Sequence, residues 1–459
     1  MWLWKLLTAS GSGEGKRLHS PTKSVDATAL ANFSGFDSRE LEALRGRSVL
    51  IRCCDQLAAA LALIELDGIA RRMVLLPPGV SAIHIPEILR KAEVDACVLG
   101  YNEALQAADV ADVCIRQREE LTPTTALRTS FFETEWILLT SGTTGAPKLV
   151  LHTLASLTAF FAWKRPSRAV HWATFYDIRR YGGLQIFLRA MQGGSIVLSS
   201  PVESLQDFSS RVTAVGASHI SGTPSHWRRL LMSGVCSQIK PDYVRISGEI
   251  ADQTLLDGLR ATFPDALVAH AFASTEAGVG FEIEDGLAGF PLSLANSTHG
   301  QTTIDVQDGR LRLRSPGNAQ RYLGDDGLQL KDSDGFVPTG DQLGVADGRY
   351  QFIGRSGGVI NVGGLKVHPE EVEAVLNTHP RVSMSLVKGR RSPITGAIVV
   401  ADIVLRRSER SSEETDDMVS QQIQAACTRI LPAHKVPALI RIVAALEMTA
   451  SGKMVRPNA

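Results

Sequence analysis

The chain has 459 residues, enough for a large hydrophobic core and more than one domain. Its 48 basic and 48 acidic side chains leave no formal net charge, so composition indicates neither nucleic acid nor an anionic membrane as a partner. The six cysteines form no C-x-x-C pattern, which argues against a zinc or disulfide framework and favours a cytoplasmic location. Residues 1–7 are apolar but too few for a signal sequence or a membrane span.

Strand-like and helix-like segments alternate through the first 270 residues. We predict strands at 48–52, 72–76, 96–99, 194–198, 243–246 and 266–270. We predict helices at 55–67, 85–92, 152–163, 184–191, 203–215, 225–233 and 251–262. Alternation of this kind is typical of parallel sheets with helical crossovers, and it predicts a large layered α/β domain.

The pattern changes after about residue 280. Strand-like segments and Asp-Gly turns predict a β-rich subdomain, with strands at 302–306 and 310–314 and turns at 308–309, 326–327, 334–335 and 347–348. The last hundred residues predict a compact α+β unit, with helices at 369–377 and 413–430 and strands at 382–387, 397–405 and 439–443. We therefore predict an N-terminal domain over 1–354, a hinge over 355–358 and a small C-terminal domain over 359–459.

A loop rich in glycine and hydroxyl side chains follows the apolar run 136–139. Glycine lets backbone N–H groups approach an anion closely, and hydroxyls and a lysine add donors suited to a triphosphate. The loop residues expected to hold phosphate are Thr140, Ser141, Gly142, Thr143, Thr144, Gly145 and Lys148. The glycine and lysine spacing differs from the Walker A pattern, and a flexible connection remains the alternative interpretation.

Two segments offer carboxylates beside predicted strands or turns. Glu276 ends the run Phe272-Ala-Ser-Thr-Glu after a predicted strand, a position that suits Mg²⁺ shared with substrate phosphates. A helix N-terminus capped by Ser274 or Thr275 would explain the same residues. Asp341 lies in the turn Pro338-Thr-Gly-Asp, where such residues are usually structural.

Three further segments contain glycine turns or isolated cations. They are Ser247-Gly-Glu249, the segment from Val359 that contains Gly363, Gly364 and Lys366, and Thr449-Ala-Ser-Gly-Lys453 near the end. Taken alone, each has an ordinary interpretation: a strand-to-helix turn, a hairpin turn and a solvated lysine.

In their order along the chain, these motifs resemble the signatures of the adenylate-forming superfamily. That superfamily includes acyl- and aryl-CoA synthetases, peptide-synthetase adenylation domains and luciferases, and the resemblance spans residues 48 to 456. It implies that Phe272 stacks on adenine, with Gly248 and Glu249 beside the base, and that Thr275 binds the adenylate. Glu276 would bind Mg²⁺.

The resemblance also assigns residues near the hinge and in the C-terminal domain. Asp341 would accept hydrogen bonds from the ribose hydroxyls, and Arg355 would contact ribose or phosphate. Lys366 would lie near the nucleotide, and Lys453 would be the catalytic lysine of a mobile domain. Gly363 and Gly364 would border the path of the thiol's pantetheine arm.

Several positions depart from the family pattern. Leu149 follows the loop lysine in place of glycine, Phe272 stands for tyrosine, and Gly357 stands where aspartate is frequent. In the segment expected to bind the acid, Arg180 replaces a histidine, which leaves the acid's identity open. We place the acid against Tyr176, Arg180, Tyr181 and Gly182, although these aromatic side chains would equally suit a core.

These observations predict an enzyme that uses ATP and Mg²⁺ to convert a small carboxylic acid to acyl-AMP, releasing pyrophosphate. Transfer to a thiol would then give an acyl thioester and AMP, with CoA favoured over the phosphopantetheine of a carrier protein acting in trans. The alternative is a stand-alone adenylation enzyme that loads an aryl or amino acid onto such a carrier, with Asp177 pairing an α-ammonium group. A non-catalytic nucleotide-binding protein is the third interpretation, and Glu276 and Lys453 argue against it.

Overall fold

The computed structural model describes most of the chain. The described residues are 2–8, 16–101, 103, 112–124, 130–140, 147–161, 169–324, 327–392, 395–406, 415–449 and 452–455. Within these ranges the protein is a layered α/β structure with a β-rich subdomain, followed by a small α+β domain. The predicted fold class is therefore confirmed.

The first sheet has eight described strands and a largely parallel order. In spatial order its strands are Gly278–Ile283, Leu267–Ser274, Tyr243–Ser247, His219–Gly222, Val170–Thr174, Gly194–Leu198, Arg17–His19 and Ser24–Asp26. The outermost pair at each end is antiparallel, and the pairs between them are parallel. Parallel strands place their carboxyl ends along one edge, where ligands commonly bind.

The second sheet has seven described strands. In spatial order they are Arg321–Leu323, Lys148–His152, Glu135–Thr140, Arg72–Leu75, Ser48–Arg52, Ala96–Leu99 and Val113–Arg116. The predicted helix at 152–163 is wrong at its start, because residue 152 pairs in a β-hairpin with residue 136. The helix there is Leu154–Thr158, whose first turn is capped by the Thr153 side chain.

Helices cover both sheets and also separate them. The N-terminal α-helices are Leu3–Thr8, Ser38–Leu44, Gln56–Leu66, Ile85–Lys91, Leu154–Thr158, Tyr181–Gly193, Leu205–Val215, Pro224–Ser233 and Gln253–Thr262. Every residue of Gln56–Leu66 is buried, and this helix shares one core with Tyr181–Gly193 and strands of both sheets. A helix enclosed on all sides needs no polar face, which explains its continuous run of apolar residues. Gln253–Thr262 packs instead in the core on the outer face of the first sheet.

The third sheet forms the β-rich subdomain. In spatial order its described strands are Phe290–Pro291, Arg349–Arg355, Val337–Ala346, Arg310–Arg314, Thr302–Gln307 and Ser297–His299, all antiparallel. Positive φ angles occur at both residues of the predicted turns 308–309 and 347–348. This is the geometry that Asp-Gly hairpin turns favour.

The C-terminal residues have a core of their own. Their elements are a hairpin of Ile360–Val362 and Leu365–Val367, the helices Pro369–Thr378 and Asp416–Ile430, and the strands Val382–Ser392, Gly396–Leu405 and Leu439–Ile442. None of the helices in the described ranges combines the length and hydropathy that a membrane crossing requires.

Candidate active site

Lys453 lies where the C-terminal segment contacts the first sheet. The neighbouring Met454 N–H donates to Glu249 Oε1 at 3.1 Å, and the Thr223 hydroxyl donates to the Gly452 carbonyl at 2.8 Å. A Cβ placed on Gly248 would lie 3.4 Å from Lys453 Cε. Residues 452–454 are thus held against the turn that follows strand Tyr243–Ser247.

That turn joins the lysine to the predicted acid pocket. Gly248 has a φ of +90°, which favours glycine, and the preceding Ser247 carbonyl accepts from the Tyr176 hydroxyl at 2.6 Å. The Glu249 carboxylate also accepts from the Ser225 N–H at 3.0 Å, through its second oxygen. Sequence analysis placed Glu249 beside the nucleotide but missed its contact with Met454, which lies 205 positions away.

Four charged groups determine the electrostatics around Lys453. Burial lowers the pKa of Lys453, and the guanidiniums of Arg355 and Arg180 lower it further. The carboxylates of Glu249 and Asp341 oppose this shift. The structure therefore brings together five residues that the sequence predicted at separate positions.

Asp341 and Arg355 come from adjacent strands of the third sheet. Arg355 Nε lies 3.3 Å from Asp341 Oδ1, and Arg355 Nη2 donates to the Thr339 carbonyl at 2.7 Å. Burial raises the pKa of Asp341, while the positive charges of Arg355 and Lys453 oppose that rise. The Asp341 carboxylate suits the predicted contact with ribose hydroxyls, and the Arg355 guanidinium suits the predicted contact with ribose or phosphate.

Lys148 and Glu276 both contact Tyr322, which sequence analysis did not single out. Lys148 Nζ lies 5.0 Å from the Tyr322 ring centroid. Burial, together with the hydrogen-bonded Glu276 carboxylate, raises the pKa of the Tyr322 hydroxyl to about 12. Lys148, the predicted phosphate ligand, and Glu276, the predicted metal ligand, therefore lie beside the same tyrosine.

Part of the phosphate loop lies within the described ranges. Thr140 and Lys148 face each other across the hairpin, so the loop between them starts and ends at one place. The predicted residues Ser141, Gly142, Thr143, Thr144 and Gly145 lie outside the described residues.

Glu276, the predicted Mg²⁺ ligand, lies two residues after the end of strand Leu267–Ser274 and has a single carboxylate. In the part of the chain that the structure describes, no group of three His, Cys, Asp or Glu side chains could hold a metal ion. Mg²⁺ commonly binds one or two carboxylates together with substrate phosphates and waters, so a single glutamate fits that mode of binding. The neighbouring Thr275 carbonyl contacts His152 Nε2 at 2.7 Å, and burial lowers the pKa of His152 to about 4.

Phe272, the residue predicted to stack on adenine, is half-buried. Its ring centroid lies 5.6 Å from both Phe281 and Phe352, with near-parallel planes at Phe352. The ring belongs partly to the core of the β-rich subdomain, so only its exposed part remains for a base.

Two residues of the predicted acid pocket face each other at the start of helix Tyr181–Gly193. A Cβ placed on Gly182 would lie 3.5 Å from the Tyr176 ring, and both Tyr176 and Tyr181 are buried. Arg180 Nη2 donates to the Pro78 carbonyl at 3.0 Å. Trp172 instead packs edge-on against Tyr243, on the side of the sheet core.

Asp177 is bound to Arg179 rather than open to a ligand. Arg179 Nη2 lies 2.5 Å from Asp177 Oδ2, Nε donates to Oδ1 at 2.8 Å, and both side chains are buried. A carboxylate engaged in this way is poorly placed to receive an α-ammonium group.

The glycines of the predicted thiol-binding turn are exposed on their hairpin. Gly363 and Gly364 have φ angles of +59° and +87°, and a Cβ on either would meet none of the described residues within 4 Å. Lys366 is exposed on the same hairpin. A Cβ at Gly357, in the predicted hinge, would also enter open space.

Two family models match the chain. The model described as AMP-binding enzyme matches residues 48–323, and the model described as AMP-binding enzyme C-terminal domain matches residues 371–453.

Curated relatives include CoA ligases. The chain is 25% identical over 384 residues to a 2-succinylbenzoate–CoA ligase from Bacillus velezensis, an alignment that covers 78% of this chain and 75% of the relative. It is 26% identical over 356 residues to 4-hydroxybutyrate–CoA ligase 1 from Metallosphaera sedula, covering 69% of this chain and 60% of the relative.

Solved structures share the fold. The anthranilate CoA ligase AuaEII in complex with anthranoyl-AMP gives a TM-score of 0.78 at 18% identity, covering 99% of this chain and 95% of that one. The amide bond synthetase McbA from Marinactinospora thermotolerans gives 0.77 at 18% identity, covering 98% and 97%.

Proposed function

Because this chain belongs to the AMP-binding enzyme family, as an AMP-forming acid–thiol ligase, we propose that it converts a small carboxylic acid to its CoA thioester through an acyl adenylate. The observation that carries the proposal is the convergence of Lys453 with Asp341, Arg355 and the Gly248 turn. Positioned charges of this kind stabilise the charge that develops during phosphoryl-group transfer.

In the first half-reaction, the acid's carboxylate attacks the α-phosphorus of ATP, which forms acyl-AMP and releases pyrophosphate. The Lys453 ammonium lies beside the Gly248 turn and would donate to the oxygens that gain charge. Asp341 would accept from the ribose hydroxyls, while Arg355 Nε stays within 3.3 Å of that carboxylate and fixes its direction. Lys148 would meet the outgoing pyrophosphate at the end of the phosphate loop.

Mg²⁺ would be held by Glu276 together with substrate phosphate oxygens, and it would supply charge neutralisation there. The Tyr322 hydroxyl, hydrogen-bonded to the same carboxylate, would keep that side chain oriented.

In the second half-reaction, a thiol attacks the acyl carbonyl carbon and AMP leaves. Among the described residues, none lies within 4 Å of a Cβ placed on Gly363 or Gly364, which suits a surface that reaches the adenylate only after the small domain turns about residues 355–358. CoA is the thiol that we favour, because the curated relatives with long alignments include CoA ligases.

The experiment that tests this proposal is a pyrophosphate-release screen of purified protein with ATP, Mg²⁺ and a panel of aryl, fatty and amino acids. Each acid is assayed without a thiol, with CoA and with a phosphopantetheinylated carrier protein. Acid-dependent pyrophosphate release, with AMP and an acyl-CoA as products, is the expected result.

Release of ADP and phosphate in place of AMP and pyrophosphate would refute the adenylate mechanism. A thioester formed only on the carrier protein would refute CoA as the thiol and support the adenylation enzyme acting on a carrier in trans. Failure of every acid to release pyrophosphate would refute the proposed function as a whole.

A further inference from the structure

Two arginines lie behind the predicted acid pocket, and sequence analysis assigned neither of them. Arg245 lies on strand Tyr243–Ser247 and is 3% exposed, and Arg189 lies on helix Tyr181–Gly193. Arg245 Nη2 and Arg189 Nε are buried and have no hydrogen-bond partner within the described ranges. The Arg189 guanidinium carbon instead lies 4.9 Å from the Phe161 ring centroid.

Within the described part of the chain, Glu282 provides a carboxylate that interacts with both arginines. Arg245 Nε lies 3.2 Å from Glu282 Oε2, while the other oxygen accepts from the Tyr243 hydroxyl. The same carboxylate also interacts electrostatically with Arg189. Among these three side chains there are thus two guanidiniums and one carboxylate, and arginine does not lose its proton at ordinary pH. A buried cation without a full set of partners is costly, so an arrangement with unused donors is suited to an anionic ligand.

The two arginines are connected to the acid pocket through its tyrosines. The positive charge of Arg245 opposes the burial that raises the pKa of both Tyr176 and Tyr181. Tyr176 binds the Ser247 carbonyl next to the Gly248 turn, which contacts Lys453. Arg245 is therefore near the same tyrosines that link the pocket to the catalytic lysine.

Helix geometry gives the direction from the pocket to Arg189. Gly182 and Arg189 are seven positions apart on one helix, so they lie on one face about 10 Å apart along its axis. Gly182 faces the Tyr176 ring at the end of the helix nearer to the catalytic lysine. An acid bound beside Gly182 and about 10 Å long would reach the level of Arg189 along the helix axis.

We propose that Arg189 and Arg245 bind a second carboxylate of the acid substrate, remote from the carboxylate that is adenylated. Guanidinium groups match carboxylates in geometry and can bind them through two parallel hydrogen bonds. The preferred substrates are then dicarboxylic acids whose far carboxylate completes the charge balance of the pocket. This inference rests on the proposed function, because it names the class of acid that the same site accepts.

The test compares diacids with matched monoacids. Short α,ω-dicarboxylic acids and phenylene diacids are each assayed beside their monomethyl esters, which keep the length and lose one charge. In the wild type, kcat/KM for the diacid should be about 10 to 100 times that for its monoester, as expected for hydrogen bonds to a charged group. Arg189→Met should reduce this ratio to about unity. Arg189→Lys, which keeps the charge but not the planar fork, should give an intermediate ratio.

Arg211→Met is the matched control, because Arg211 is also partly buried but pairs with Glu203 away from this cluster. It should keep the wild-type ratio. Thermal unfolding gives a second readout that needs no turnover: the diacid should raise the Tm of the wild type and not that of Arg189→Met. Without acid, Arg189→Met should unfold at or above the wild-type Tm, because a buried charge has been removed.

Each outcome separates this inference from the proposed function. Equal turnover of diacids and monoesters by the wild type, or a preference that survives Arg189→Met, would overturn the dicarboxylate inference and leave the adenylating activity intact. Absence of pyrophosphate release with every acid would overturn the proposed function and the inference together.

Discussion

The segment that carries Lys453 packs so closely against helix Pro224–Ser233 that it leaves no space for a side chain at Gly452. A Cβ at Gly452 would lie 1.8 Å from His226 Cε1, and the glycine has a φ of +70°. The His226 ring is itself held in place, since its Nδ1 accepts from the Thr223 N–H at 3.2 Å and its plane stacks on Phe175. Gly452→Ala should therefore push the Lys453 segment off the site rather than displace the histidine.

The expected loss of rate follows from the free energy needed to fit a methyl group at Gly452 while Lys453 stays in place. Inserting a methyl group into a closely packed contact costs up to about 3 kcal/mol, and a Cβ 1.8 Å from a ring carbon belongs at that upper end. The left-handed φ at Gly452 disfavours alanine as well, but that cost does not depend on the contact with His226. We therefore expect acyl-AMP formation to slow by roughly 150-fold, because 1.36 kcal/mol corresponds to tenfold in rate.

The assay measures each half-reaction alone in purified, folded protein. Acyl-AMP formation is followed by pyrophosphate release, and thioester formation is followed from supplied acyl-AMP and CoA. Gly452→Ala should impair the first and spare the second. Gly300→Ala is the control, because Gly300 has a φ of +61° and a Cβ there would meet no described residue within 4 Å. Wild-type adenylation in Gly452→Ala, or an equal loss in both half-reactions, would refute the idea that this close contact positions the lysine.

The remaining predictions concern the other predicted site residues. Lys453→Ala should abolish acyl-AMP formation and still convert supplied acyl-AMP and CoA to thioester, whereas Gly364→Leu should do the reverse; equal losses in both half-reactions would contradict domain alternation. Burial and nearby guanidiniums lower the pKa of Lys453, so it deprotonates earlier as pH rises, and pH–rate profiles should show adenylation failing at lower pH than an ordinary lysine would give. Glu276→Gln should slow pyrophosphate release about 100-fold or more while ATP binding, measured by calorimetry, changes far less; release at the wild-type rate would remove the metal assignment. Substitution of Arg180 or Tyr181 should reorder preference among acids, and an unchanged profile across the panel would remove this segment from the pocket.

Local patterns in the sequence determined the class of the fold. The alternation of apolar runs with helical stretches predicted the layered α/β part, and Asp-Gly pairs predicted the β-rich subdomain, because both signals act over a few neighbouring residues. The prediction failed where tertiary pairing took over: residue 152 continues a hairpin strand instead of starting a helix. Hairpin pairing with a strand of the large sheet outweighed local helix propensity there.

The sequence also identified the four charged residues that interact with Lys453, because each lies in or beside a short segment that resembles a family motif. Their convergence depended on the tertiary structure. Glu249 meets Met454 across 205 positions, and a histidine from a distant helix leaves no space for a side chain at Gly452.

Only the tertiary structure brings Arg189 and Arg245 together behind the predicted acid pocket. Arg189 and Arg245 occupy an ordinary helix and an ordinary strand, and no motif marks either of them. Their proposed role rests on the balance of charge among buried side chains, with Glu282 as the neighbouring carboxylate. Burial and charge balance are properties of packed neighbours, so no local pattern in the chain could have revealed them.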